Sequence, residues 1–143
     1  MTHALWNEVL NNIMSLYPPW ITAGIEVSDI DAAIKIYVEK WRLFRVEYRH
    51  NDSAALRLID TPTPFLLTIN LAGRTDTQGW IIPSAKTGYL VLPINNFWQW
   101  VDTIFGSRDI IEQTPWSCYV VLTDPFGHMF VFETNESPPE ALR

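Results

Sequence analysis

Cysteine is nearly missing from this chain of 143 residues. Its single thiol, Cys118, allows no internal disulfide and no cysteine-based zinc site, so a reducing, cytoplasmic setting is expected. Glycine is scarce at six residues, and none falls in a phosphate-cradling loop. There is no Gly-x-Ser-x-Gly elbow, so a hydrolase triad has no support. Charged residues make up only 18%, ten basic against sixteen acidic, for a formal net charge of −6. That balance argues against a general phosphate-backbone binder and leaves room for neutral or cationic partners. No uncharged apolar run approaches the roughly 20 residues of a membrane span, so neither nucleic acid nor membrane is an expected partner. The opening MTHALWNEVLNN lacks a basic n-region and a continuous apolar h-region, and no secretory leader is expected.

Apolar residues and aromatic rings are abundant. A 48% apolar content in a chain of this length predicts one independently folded domain rather than a disordered segment. Seven Trp, five Tyr and seven Phe bring the aromatic share to 13%, supplying rings for a core, an interface or a ligand pocket.

Along the chain, Leu5, Val9, Ile13 and Leu16 recur at helical spacing, predicting a helix over 3–16 that Pro18-Pro19 stops. Residues 20–27 read as a strand. Asp29 then caps a helix to about Trp41, with Ile30, Ala33, Ile34, Tyr37 and Val38 on its apolar side. Strands follow at 42–49, 54–59 and 64–70, with turn chemistry at Asn51-Asp52-Ser53 and Thr61-Pro62-Thr63. A polar stretch over 71–86, containing Trp80, reads as a linker or lid. The order then restarts: a strand at 87–94, a cap at Asn95 or Asn96 and a helix over Phe97–Phe105. Strands at 109–113, 116–123 and 128–134 complete it, with Asp124-Pro125-Phe126-Gly127 suited to a type I turn. The closing ESPPEALR is expected to fray.

The restart is a repeat. Val27-Ser28-Asp29-Ile30 and Ile94-Asn95-Asn96-Phe97 hold the same strand-to-helix junction 67 residues apart, and the closing strands lie 64 residues apart. Each strand–helix–strand–strand–strand unit would expose one apolar sheet face if alone, so pairing is expected.

With Val27-Ser28-Asp29-Ile30-Asp31-Ala32-Ala33 and Tyr37 in the first unit, and Asp124-Pro125-Phe126-Gly127-His128 in the second, the chain resembles the glyoxalase/bleomycin-resistance superfamily, also called vicinal oxygen chelate proteins. The resemblance spans about residues 20–135. It implies an α+β fold of two βαβββ modules forming a cup-shaped mixed sheet, with an extra N-terminal helix, within a homodimer. Module one would cover about 20–70 and module two about 87–135 of a single domain over 1–143.

Enzymes of that superfamily hold a divalent metal with His, Gln or Glu from the first and last strands of each module. Carried onto this chain, those positions fall on Thr22, Leu66, Tyr89 and Val131, none a normal imidazole or carboxylate ligand. Slipping by one residue offers Ala23, Leu67, Leu90 and Phe132, and slipping by two offers only Glu133. The resemblance therefore implies no metal cofactor, and more readily a binding protein than an enzyme.

Alternation places Thr22, Gly24 and Glu26 on one strand face, and Val131 with Glu133 on another. Glu26 and Glu133 are candidates to attract a cation, or else solvated charges at strand ends. Trp80, Tyr89, Trp116 and Tyr119 are candidate pocket rings, with Trp116 and Tyr119 expected on a central strand. These residues, with Thr22, Leu66 and Val131, form the expected site for a small aromatic or cationic organic molecule, sequestered as in bleomycin resistance, an antibiotic-resistance activity. Two alternatives remain open at this point. One is a metal-dependent lyase, isomerase or dioxygenase with displaced ligands, Glu26, Glu133 and His128 being first suspects. The other is an assembly module without a small ligand. His50 and His128 otherwise read as surface turn residues, and Cys118 as a buried inert thiol.

Overall fold

Alternating apolar residues bounded by turn formers produce two sets of four strands, and the computed structural model describes them over residues 21–72 and 88–139. The expected helix over 3–16, most of the 71–86 stretch with Trp80, and the last four residues lie outside the described residues. Two compact units emerge: residues 21–59 with 63–72, and residues 60–62 with 88–139.

In the first unit, β1 (Ile21–Val27) leads through a capped turn into α1 (Ile30–Ile34). The Asp29 carboxylate accepts the Ala32 amide at 3.0 Å, satisfying one of the helix's open donors. From Lys35 to Lys40 the helix widens into a π-helix, its Trp41 amide donating to the Ile36 carbonyl at 2.8 Å. Tyr37 and Trp41 are buried there with ring centroids 5.1 Å apart, and Tyr37 also meets Phe44 at 6.0 Å. The sequence pattern foresees Tyr37 but neither the π turn nor Trp41 as a core ring. Strands β2 (Phe44–His50), β3 (Ser53–Leu58) and β4 (Phe65–Leu71) follow. The sheet order is β1-β4-β3-β2, with β1 parallel to β4 and the other pairs antiparallel. Ile25, Val27, Leu56, Leu58, Leu67 and Ile69 form its buried apolar layer.

The second unit repeats the plan. Strand β5 (Gly88–Pro93), helix α2 (Phe97–Phe105), and strands β6 (Glu112–Gln113), β7 (Cys118–Thr123) and β8 (His128–Thr134) give the order β5-β8-β7-β6, with β5 parallel to β8. Helix α2 buries Phe97, Trp98, Trp100 and Val101. Trp100 meets Phe132 at 5.6 Å, and Phe132 stacks on Phe130 at 5.9 Å. Each ring of this kind contributes roughly 1.5–3 kcal/mol through burial. Two identical sheet orders, each a βαβββ module, establish the expected α+β fold class.

Several local expectations need correction. Asn96 occupies the cap position of α2 at φ 54° but makes no side-chain cap. Its amide donates instead to Asp60 Oδ2 at 2.9 Å, while the Asn95 amide donates to the Asp60 carbonyl at 2.7 Å. Thr61 and Pro62, read from sequence with Thr63 as turn chemistry, belong with Asp60 to the second unit, while Thr63 belongs to the first. Strand β6 is only two residues long, because Ser107 and Arg108 accept the Asp109 and Ile111 amides and hold the preceding residues in turns. His128 is buried at the start of β8 rather than exposed in a turn. No helix among the described residues is long and apolar enough to cross a membrane.

Candidate functional site

Trp116 owes its position to Thr114. The Thr114 hydroxyl accepts the Ser117 amide at 3.0 Å and the Trp116 amide at 3.4 Å, and the Thr114 amide donates to the Ser117 carbonyl at 2.8 Å. This tight turn delays β7 until Cys118, so Trp116 is not on a central strand as the alternation suggests. Its indole is instead 78% exposed at the end of the second sheet. A ring this large so far in solvent has little folding role and a broad surface to offer.

A hollow of about 620 Å³ opens beside Trp116, lined also by Pro62, Pro93, Asn95, Glu133 and Glu136. A smaller one of about 160 Å³ adjoins it, sharing Trp116, Ser117, Thr134, Asn135 and Glu136. No lysine or arginine lines either hollow among the described residues. Register explains the convergence: Glu133 stands opposite Pro93 on β5 and opposite Tyr119 on β7, which puts all three on one face. Tyr119 donates its hydroxyl proton to Glu112 Oε2 at 2.9 Å. That hydrogen bond, with the Glu112 charge and a little desolvation behind it, raises the Tyr119 pKa above the usual tyrosine range.

The far wall is the segment after β8. Trp98 Nε1 donates to the Glu136 carbonyl at 3.1 Å, and Arg108 Nη1 donates to the Pro139 carbonyl at 3.0 Å. Arg108 also forks onto Asp102, both bonds at 3.0 Å, and lies 5.0 Å from the Trp98 ring centre. The Asp102 hydrogen bond is the main reason its pKa is raised, against partial desolvation. The described part of the expected fraying tail is therefore pinned.

The expected site residues divide between the units. Trp116, Tyr119, Glu133 and Val131 belong to the second, the last three on the same sheet face as Tyr89 and Val91. Tyr89 is 68% exposed, and its partner in register is Met129, while Val131 faces Val91. Thr22, Glu26 and Leu66 belong to the first unit; Thr22 is exposed, Glu26 half-buried and registered with Asn70, and Leu66 fully buried. Trp80 lies outside the described residues. Sequence reading missed Pro62, Pro93, Asn95 and Glu136. A proline ending the strand and an acidic residue just past β8 were the available signals, and both look like ordinary loop chemistry.

The residues present do not suit the metal of a vicinal oxygen chelate enzyme. Thr22 faces Leu66 and Tyr89 faces Met129, and none of these offers a carboxylate or imidazole. His128 and Glu133 are five residues apart on one strand, so their side chains leave opposite faces of the sheet. No cluster of three or more His, Cys, Asp or Glu that could hold a metal occurs among the described residues.

No protein-family model matches the chain, and no curated protein does. Solved structures do. TioX from Micromonospora sp. ML1 is 16% identical with a TM-score of 0.61, over 81% of this chain and 98% of TioX. A bleomycin-binding protein in complex with bleomycin is 16% identical with a TM-score of 0.55, again over 81% and 98%. A lactoylglutathione lyase from Agrobacterium tumefaciens is 18% identical with a TM-score of 0.60, over 82% of this chain and 94% of the lyase. At these identities the likeness is one of fold.

Proposed function

Starting from a chain with the glyoxalase/bleomycin-resistance fold, we propose that it binds a small, flat, cationic organic molecule without a metal and without altering it. The observation that carries this reading is the exposed Trp116 beside a 620 Å³ hollow with Glu133 and Glu136 in its lining. An indole face attracts a cation over its ring, worth about 0.5–2 kcal/mol, and stacking excludes water from both partners. The carboxylates, with no lining lysine or arginine to oppose them among the described residues, draw positive charge toward the ring. A cavity of this size falls within the range that takes drug-sized ligands. The bleomycin-binding protein among the structural neighbours supports sequestration as the mode of action.

The reading includes a homodimer working in the cytoplasm, where the buried Cys118 stays a thiol. Exposed Tyr89, Val91 and Met129 on one sheet face support self-association through apolar contact. Fluorescence titration with ethidium and with metal-free bleomycin, in excess chelator, tests the binding. Saturable one-to-one quenching is expected, and Trp116→Ala should weaken it while leaving far-ultraviolet circular dichroism unchanged. No saturable binding of either probe, or binding that appears only after a divalent metal is added, contradicts the proposal.

A further inference from the structure

The wall of the hollow is shaped from behind by helix α2. Trp98 and Asp102 are four residues apart on α2 and so share one helical face. Asp102 fixes the Arg108 guanidinium through two bonds, Arg108 covers the Trp98 ring, and the remaining donors of the pair reach two carbonyls three residues apart, those of Glu136 and Pro139. Between and beside those carbonyls lie Asn135 and Glu136, which line both hollows, and Ser137 and Pro138, which line the smaller. Thr134 adds a local bond, its hydroxyl accepting the Glu136 amide at 3.1 Å.

We infer that Trp98, Asp102 and Arg108 form a clamp of positioning residues that holds the 135–139 segment as the ligand-facing wall, although none of the three lines either hollow. This rests on the hollow being the ligand site proposed above. A guanidinium is required because one planar group must fork onto Asp102 and still present a donor to Pro139; an ammonium keeps the charge but not that geometry. A wall held before the ligand arrives saves the ordering cost at the moment of binding.

The test compares wild type with Arg108→Lys, Asp102→Asn, Trp98→Phe and Trp116→Ala. Each is read by nitrogen-15 NMR of the Glu136 and Ser137 amides and by ethidium titration. In the three clamp variants the two amides should shift and exchange faster while those of Val120 and Phe132 in the sheet stay fixed. Ethidium affinity should fall about tenfold with the loss of preorganisation. Trp116→Ala should weaken binding without moving the wall signals. Unmoved wall signals in Arg108→Lys, or a loosened wall with wild-type affinity, overturn the clamp. Binding that Trp116→Ala weakens and the clamp variants leave alone refutes the clamp only. No binding by wild type refutes the ligand reading and the clamp's part in it together.

Discussion

Replacing Trp116 by alanine separates ligand binding from folding more cleanly than any other change. The indole is 78% exposed and rests on a turn that backbone and Thr114 bonds hold without it. Its loss should therefore change stability by no more than about 0.5 kcal/mol, as for other exposed positions. A flat ligand covering one ring face would remove about 80 Å² from water, roughly a third of what a fully buried tryptophan covers. At about 25 cal/mol per Å² that is about 2 kcal/mol. A cation held over the face adds about 1 kcal/mol. The sum, about 3 kcal/mol, corresponds to an affinity loss on the order of 100-fold. Calorimetric titration with ethidium, beside a thermal melt of the same sample, reads both quantities. Affinity within threefold of wild type and an unchanged melt would refute the placement of the ligand on Trp116.

Other positions make independent claims. The Tyr119 pKa is raised by its bond to Glu112, so that bond stabilises the fold below the ordinary tyrosine pKa and is lost as pH rises through the raised value. Tyrosinate absorbance should accordingly show a late-titrating component that Tyr119→Phe removes, and an unchanged curve would count against the bond. At Gly24 an added Cβ would sit 3.0 Å from Thr68 Oγ1, whose hydroxyl donates to the Ala23 carbonyl. Gly24→Ala should cost about 1 kcal/mol in denaturant unfolding, and adding Thr68→Ala should make the two effects non-additive. Asp124 is buried, and its Oδ1 accepts the Phe126 and His128 amides, both at 2.9 Å. Asp124→Ala should cost about 2 kcal/mol by leaving those donors open, and a loss under half of that would assign the turn to its backbone alone.

The fold was legible because its signals are local and occur twice. Asp29 caps as its side chain dictates, Phe97–Phe105 ends at Gly106 as expected although Asn96 makes no side-chain cap at its start, and the Asp124–Gly127 turn delivers His128–Thr134. Register was harder to read. Alternation places Val131 and Glu133 on one face, but only pairing shows that Met129 rather than Val131 stands beside Tyr89. The candidate site was legible only in part: Trp116 and Glu133 stood out by residue type and line the hollow, while Tyr119 does not line it and bonds Glu112 instead. Pro62 and Glu136 did not, because they reach the hollow through contacts distant in sequence. Asp60 arrives through bonds to Asn95 and Asn96, and Glu136 through Trp98. The π turn at Lys35–Lys40 left no periodic mark that distinguishes it from an ordinary helix.

Metal-independent capture of a cationic ring is the central claim, and native mass spectrometry of chelator-treated protein with ethidium tests it most directly. The expected spectrum shows one ethidium per chain, no bound metal, and loss of the adduct in Trp116→Ala. A stoichiometric divalent metal retained through chelation, or an adduct that persists undiminished in Trp116→Ala, would contradict it.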